Sequence, residues 1–105
     1  MLKTVSFWRL RPGVSEEEAE KQYFEEHVPL AQKLPGLRRY TIGKARGKDR
    51  PYYRMAELCF DNREALNTAM SSPEGVAVRE DPGFHALIEG MTIFYFEEEE
   101  VNLPG

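Results

Sequence analysis

A period of two along the first residues of the chain predicts the first element. In "KTVSFWRLR", Val5 and Phe7 alternate with Thr4, Ser6 and Trp8. A period of two is typical of a β-strand whose two faces have different surroundings. The pattern therefore predicts a strand close to the start of the chain.

Helical spacing follows in "PGVSEEEAEKQYFEEH". Ser15, with a glutamate three residues later, gives a capping-box pattern, and the acidic first turn suits the helix dipole. Ala19, Tyr23 and His27 recur at i, i+4 and i+8, so they share one face of the helix. Pro29 lacks a backbone N–H and restricts the residue before it. We therefore expect this helix to end or kink near Pro29.

Two strands are predicted in the middle of the chain. "LRRYTIGKAR" is rich in residues that favour strands, and "YYRMAELCF" follows the turn "GKDRP". The second of these segments alternates between two sides. One side carries Ala56, Leu58 and Phe60, and the other carries Tyr53, Met55, Glu57 and Cys59.

A second helix and a last strand complete the pattern. Asp61 followed by Glu64 predicts the helix start, and Ser72 before Pro73 predicts a further short turn. The buried stripe of the helix is expected to comprise Ala65, Leu66, Ala69 and Met70. "EDPG" and Gly90 indicate irregular chain, and "MTIFYFEEEE" reads as a strand up to its charged end.

The order strand, helix, strand, strand, helix, strand predicts an α+β, ferredoxin-like βαββαβ fold with a four-stranded antiparallel sheet. Right-handed connections place both helices on one face of the sheet. The other face would then expose either Phe7 or Trp8 and part of the aromatic run Phe94–Phe96. Packing this face against a second copy would bury it, so we expect a homodimer that forms a dimeric α+β barrel.

Length and charge exclude several classes of protein. The 105 residues predict a single domain spanning 1–105, and a formal net charge of -4 argues against a nucleic-acid partner. Arg9 and Arg11 interrupt the apolar character of the N-terminal segment, so neither a signal peptide nor a membrane span is expected. Cys59 is the only cysteine, which favours a reducing, cytoplasmic location and leaves no set of ligands for a zinc site.

Two long segments resemble the EthD family, within the dimeric α+β barrel superfamily. They are "PGVSEEEAEKQYFEEHVPLAQKLPGLRRY" and "YYRMAELCFDNREALNTAMSSPEG", and "HVP" followed by "LPGLRRY" is the most specific part. The resemblance implies a ferredoxin-like protomer, a homodimer with its sheets face to face, and a pocket near the histidine of the motif. Family members occur in gene clusters for ether breakdown and aromatic metabolism.

His27 is the candidate acid or base. It precedes the expected helix break, where the partial negative charge of a helix C-terminus, with Glu25 and Glu26 nearby, would favour the imidazolium form. Such a histidine could exchange a proton near neutral pH. The structural alternative is a capping histidine that binds the last carbonyl groups of the turn.

Four aromatic residues and one acid are candidates for binding a substrate. Trp8, Tyr23, Tyr40 and Tyr53 could stack on a flat ligand while offering N–H or O–H donors, although such residues also serve in cores and interfaces. Glu57 could pair with a substrate hydroxyl. Its structural alternative is an ion pair with Arg54 or Arg39 of this or the other subunit.

Three functions remain open at this point. The first is a cofactor-independent enzyme acting on a hydrophobic or aromatic, oxygenated small molecule in a degradation or aromatic-metabolism pathway. The second is a non-enzymatic accessory protein that binds the same kind of molecule. No cofactor is expected, because the sequence has no G-x-G-x-x-G fingerprint and no P-loop. A haem-dependent oxygenase with His27 or His85 as axial ligand is a third, less favoured possibility.

Overall fold

A four-stranded antiparallel sheet is the scaffold of the computed structural model, which describes all 105 residues. The strands are β1 (Leu2–Leu10), β2 (Arg39–Lys44), β3 (Arg54–Phe60) and β4 (Ile88–Glu97), and their order across the sheet is β2-β3-β1-β4. Both central strands pair antiparallel with their neighbours. The predicted ferredoxin-like arrangement is therefore confirmed.

The first helical segment is continuous but changes its winding in the middle. It consists of α1 (Glu16–Gln22), a π-helical turn (Tyr23–His27) and α2 (Val28–Ala31). The Ser15 side chain accepts a hydrogen bond from the Glu18 N–H at 3.1 Å, as the capping pattern predicts. No helix in this fold is both long and apolar enough to cross a membrane.

The helix does not end at Pro29, and the irregularity expected there takes the form of a π turn. The wider π turn comes directly before Pro29, with the Val28 N–H donating to the carbonyl of Tyr23, and the helix then continues to Ala31. Pro29 occupies the first turn of α2, where a missing N–H is tolerated. The helix therefore accommodates the missing N–H of Pro29 with a π turn on its N-terminal side rather than by ending.

The second helical region comprises three short helices. They are α3 (Arg63–Ser71), α4 (Pro73–Glu80) and α5 (Pro82–His85). Helix α3 starts one residue later than expected, because Asn62 rather than Asp61 caps it, accepting from the Ala65 N–H at 2.9 Å. Asp61 instead pairs with Arg38 at 2.9 Å.

Helix α5 lies where irregular chain was expected. Asp81 caps it by accepting hydrogen bonds from the N–H groups of Gly83 (3.1 Å) and Phe84 (3.3 Å). The Asp-Pro-Gly run combines an N-cap residue with a proline in the first turn, which favours a short helix as well as a turn. This helix brings Phe84 into the core.

The core lies between the sheet and the helices and contains two clusters. One comprises Leu2, Ala31, Leu34, Phe60, Leu66, Ala69 and Val78, and the other Trp8, Ala19, Tyr23, Tyr53, Phe84 and Ile88. The opposite face of the sheet carries no helix. On strand β4, Phe94 and Phe96 are 49% and 47% exposed, so these two aromatic side chains remain uncovered on this face.

Candidate functional site

A cavity of about 420 Å³ lies between the sheet and the helices. Its walls are mostly apolar, and its size falls within the range of small-molecule sites. The sheet contributes Thr4, Ser6, Trp8, Tyr40, Ala56, Leu58, Met91, Ile93 and Tyr95, and the helices and their connections contribute Tyr23, His27, Ala31, Leu66, Met70, Val78, Arg79, Phe84 and His85.

His27 lies in the wall of this cavity, and its side chain is only 14% exposed. The π turn carries it inside the helical segment and not at a helix end. Its Nδ1 atom is 2.9 Å from Oδ2 of Asp81. The structural alternative of a carbonyl-capping histidine is therefore wrong, because the ring bonds a carboxylate from another part of the chain.

Asp81 holds the histidine ring in one orientation. Its side chain is 7% exposed and also accepts a hydrogen bond from Nε2 of Gln22 at 3.1 Å, beside the two backbone N–H groups at the start of α5. A charged carboxylate in this position favours the tautomer in which Nδ1 carries the proton and donates it to Asp81. The other ring nitrogen, Nε2, is then left with a free lone pair.

The protonation state of His27 differs from the sequence-based expectation. Burial lowers the pKa of His27, and together with a smaller effect of the His85 charge it outweighs the hydrogen bond and negative charge of Asp81, which raise the pKa. The ring of Phe84 stacks on the imidazole with centres 3.8 Å apart and contributes to this burial. The expected preference for imidazolium was wrong, because the helix end that would favour it is absent and burial favours the neutral ring.

Burial also acts on Asp81, but here the hydrogen bonds outweigh it. It raises the pKa of this carboxyl group, whereas the hydrogen bonds from His27, Gln22 and the Phe84 N–H lower it by more. Asp81 is therefore ionised at neutral pH, and His27 is neutral beside it. This is the arrangement of a histidine base oriented by a carboxylate.

Three of the predicted aromatic residues meet in the cavity. Trp8, Tyr23 and Tyr40 all line it. Trp8 and Tyr23 have ring centres 5.6 Å apart, and Trp8 also meets Phe84 edge-on at 5.3 Å. Burial raises the pKa of both tyrosines, so both hydroxyl groups remain protonated near neutral pH.

Tyr53 and Glu57 are not brought to this cavity. Tyr53 precedes β3 and lines a separate void of about 10 Å³. Glu57 points to the uncovered face of the sheet, where Lys3 Nζ lies 3.0 Å from its carboxylate. Glu57 does form an ion pair within the chain, but neither expected arginine is its partner there. Arg54 lies on the helix side of β3 and pairs with Glu20 at 2.7 Å, and Arg39 pairs with Glu98.

Sequence reasoning missed Asp81 and Phe84. Asp81 contacts His27 across 54 positions of sequence, a separation that local patterns do not reveal. Its only local signal is its place as a helix-capping residue before Pro82. His85 also lines the cavity, but its Nε2 lies 2.6 Å from the carbonyl oxygen of Arg79.

The fold and the cavity define a ferredoxin-like α+β protein with an apolar site between sheet and helices. Within that class, the chain belongs to the EthD family: the family model described as EthD domain matches residues 11–84. An uncharacterized 11.0 kDa protein from the thcB-thcC intergenic region of Rhodococcus erythropolis is 32% identical over 88 residues, which cover 81% of this chain and 84% of that protein.

Three solved structures share the fold. An EthD family protein from Bacillus halodurans has 28% identity and a TM-score of 0.77, covering 94% of this chain and 100% of its own. A dimeric ferredoxin-like protein of unknown function from Bacteroides fragilis has 20% identity and a TM-score of 0.73, with 92% and 95% covered. SnoaB from Streptomyces nogalater, described as a cofactor-independent oxygenase, has 17% identity and a TM-score of 0.69, with 95% and 94% covered. The last two likenesses show the fold alone.

Proposed function

We propose that this protein binds a hydrophobic or aromatic, oxygenated small molecule and catalyses a cofactor-independent proton transfer on it, in a degradation or aromatic-metabolism pathway. One observation carries the proposal. The neutral imidazole of His27 forms part of an apolar cavity wall, and Asp81 holds its Nδ1 at 2.9 Å, which leaves Nε2 as a base.

The chemistry follows from the environment of the two groups. Nε2 of His27 accepts a proton from the bound molecule, and the imidazolium that forms is stabilised by the Asp81 carboxylate. The same imidazolium then returns the proton to a different atom or to water. Apolar walls reduce competition from solvent during this step, and SnoaB supports the idea that this fold can act without a cofactor.

Occupation of the cavity can be tested by filling it. Ala56 is half-buried on β3 and lines the cavity, so Ala56→Phe should weaken the binding of a neutral naphthalene-based fluorescent probe by about tenfold or more. Ala77→Phe, on the exposed surface of α4, is the matched control and should bind the probe as the wild type does. Fluorescence titration measures both affinities.

The same three proteins show which result would contradict a ligand site in the cavity. Equal probe affinity in the wild type and both variants would show that the probe binds elsewhere and would remove the cavity from the proposal. A protein that only binds its ligand would pass this test but would show no turnover that depends on His27.

We also propose that the protein is a homodimer joined through the uncovered sheet face. Phe94 and Phe96 are about half exposed on that face, and the dimeric protein from Bacteroides fragilis supports this use of the fold. A stable interface would bury about 1,600 Å² in total. The resulting assembly would be the dimeric α+β barrel.

The dimer gives a prediction with a control on the same strand. Phe94→Glu should raise the dimer dissociation constant by about tenfold or more, since two-fold symmetry places the charge in the interface twice. Ile93→Glu changes a neighbour of similar exposure, 51%, that points to the helix side, and it should leave the dimer intact. Analytical ultracentrifugation measures both, and a wild-type monomer at micromolar concentration would contradict the proposal.

A further inference from the structure

Two hydroxyl groups lie in the middle of the cavity wall that strand β1 forms. The residues of β1 on the helix side are Leu2, Thr4, Ser6 and Trp8. Leu2 belongs to one core cluster and Trp8 to the other, so the two polar residues lie between two apolar ends. A central strand covered by helices ordinarily carries apolar residues at such positions. Packing alone therefore does not explain Thr4 and Ser6.

Neither hydroxyl group has a hydrogen-bond partner in the protein. Among the serine and threonine side chains, those of Ser15, Ser72 and Thr92 form hydrogen bonds within the chain, whereas those of Thr4 and Ser6 form none. Polar groups inside a protein almost always have a partner, because leaving one unpaired is costly. The partner of these two hydroxyl groups must therefore come from the cavity.

Both hydroxyl groups are open to the cavity rather than enclosed by protein. Thr4 as a whole is only 8% exposed, yet the enclosed polar atoms without a partner belong to Gln22, Tyr23 and Tyr53 and not to Thr4. Since Thr4 lines the cavity, the accessible surface of its hydroxyl group lies there. The same holds for Ser6, which is half-buried and lines the same cavity.

The neighbours of the two hydroxyl groups are apolar. In the sheet, Ser6 lies between Ala56 and Ile93, and Leu58 lies beside Thr4. No acid or amide side chain lines the cavity. A hydrocarbon that fills it would take water away from both hydroxyl groups and leave them unpaired, whereas a ligand oxygen beside each group would replace the bond to water. The site therefore favours oxygenated ligands over hydrocarbons.

The strand sets the distance between the two groups. Residues two apart on a strand point to the same face and lie roughly 6.6 Å apart. Two oxygen atoms at opposite ends of one six-membered ring can meet both hydroxyl groups. A hydroxyl group donates to a carbonyl oxygen and accepts from a phenol, so neutral oxygen groups of either kind fit.

We propose that Thr4 and Ser6 bind two oxygen atoms of the substrate, and that the substrate carries them at opposite ends of one ring, as in a 1,4-dione or the corresponding 1,4-diol. This inference rests on the proposed function, because it names the substrate class of the same cavity. Thr4 and Ser6 act in binding and specificity, and His27, on the helical wall, remains the base.

Thermal stability separates a ligand site from a structural role. Valine has the shape of threonine without the hydroxyl group. Thr4→Val should therefore leave the Tm unchanged or raise it, since it removes an unpaired polar group from an apolar wall. A clearly lower Tm would show that the hydroxyl group stabilises the fold and would overturn the inference.

Ligand affinity tests the oxygen preference with three probes on one bicyclic skeleton. Tetralin has no oxygen, 1-tetralone has one, and 2,3-dihydronaphthalene-1,4-dione has two. Thr4→Val and Ser6→Ala should each weaken the binding of the dione by about fivefold and leave tetralin within about twofold. Thr68→Val, on the exposed surface of α3, is the matched control and should change no affinity. Displacement of the naphthalene-based fluorescent probe in oxygen-free buffer measures all affinities.

The binding data have two contrary outcomes. Equal losses for all three probes would show that the substitutions act through the shape of the cavity, and this result overturns the inference. An unchanged affinity for the dione in Thr4→Val and Ser6→Ala, including no binding by the wild type, overturns it as well.

His27→Gln separates this inference from the proposed function. The variant should still prefer the dione to tetralin, because the oxygen-binding groups lie on β1. In D2O, the wild type should speed deuterium incorporation next to the carbonyl groups of the dione, as NMR detects, and His27→Gln should not. A dione preference without exchange that depends on His27 supports the oxygen site and overturns the proton-transfer function. Exchange that depends on His27, with no effect of Thr4→Val or Ser6→Ala on affinity, supports that function and overturns this inference.

Discussion

Replacing Asp81 by Asn should lower the turnover of the proposed reaction by about 10⁴-fold while the fold remains intact. An Asn side chain has the shape of Asp and still caps α5, since its oxygen can accept from the N–H groups of Gly83 and Phe84. It no longer supplies the negative charge that fixes the tautomer of His27 and stabilises the imidazolium. Steady-state kinetics and thermal unfolding together measure the two expectations.

The pH profile distinguishes a catalytic dyad from a structural contact. Protonation of Nε2 removes the base, so the wild-type rate should fall as pH decreases through a pKa below the ordinary 6.5 of histidine. The Asp81 charge raises the pKa of His27, so in Asp81→Asn the residual rate should fall at still lower pH. Asp61→Asn, the same substitution at an exposed ion pair with Arg38, serves as control and should retain normal activity and pH dependence.

His27→Gln provides the matching test of the base itself. Glutamine can form hydrogen bonds but cannot exchange a proton near neutral pH, so turnover should be lost while the dimer and most of the stability are kept. Ordinary activity in His27→Gln would refute the proposed role of this residue. A fall in activity explained entirely by unfolding in Asp81→Asn would assign Asp81 a structural role only.

The second large effect is expected on stability. Phe84→Ala should lower the free energy of unfolding by about 3–5 kcal/mol, because the ring is 4% exposed and packs against Trp8, Tyr23 and His27. Chemical denaturation measures the loss. Phe24→Ala is the control: this ring is 49% exposed and meets Tyr23 at 5.5 Å, so the loss should be well under half as large.

The same variant tests the cause of the histidine pKa. With the Phe84 ring removed, water reaches the imidazole, and the pKa of His27 should rise toward its ordinary value while the Asp81 contact persists. An NMR titration of the His27 ring protons in Phe84→Ala measures this shift. An unchanged pKa would show that burial by Phe84 is not what favours the neutral ring.

The sequence predicted the fold because the fold rests on local signals. Each of three signals depends on residues only a few positions apart: the alternation in "KTVSFWRLR", the Ser15 capping pattern, and the stripe of Leu66 and Ala69. The structure has the strand, the cap and the buried helix face that these signals indicate. The order of the elements, combined with right-handed connections, then leaves few arrangements other than the ferredoxin-like sheet.

The sequence was less informative about the site because sites combine distant residues. It singled out Trp8, Tyr23, His27 and Tyr40, which share the cavity, but it also included Tyr53 and Glu57, which do not. Glu57 and Ala56 are adjacent in sequence, and the strand pleat sends them to opposite faces. Alternation separates the two sides of a strand, but only packing decides which side the ligand cavity adjoins.

What the sequence by itself determined is the four strands, the two main helical regions, their order and the shared helix face of Tyr23 and His27. What only the tertiary structure decided is the chemistry of that histidine. Pro29 was expected to end or kink the helix and leave His27 charged at that break, whereas the π turn keeps the ring inside, against Phe84 and Asp81. Phe84 and Asp81 both come from the segment around α5. The burial and the hydrogen bond that they give His27 arise only when this segment packs against the first helical segment, so no local sequence pattern indicates them.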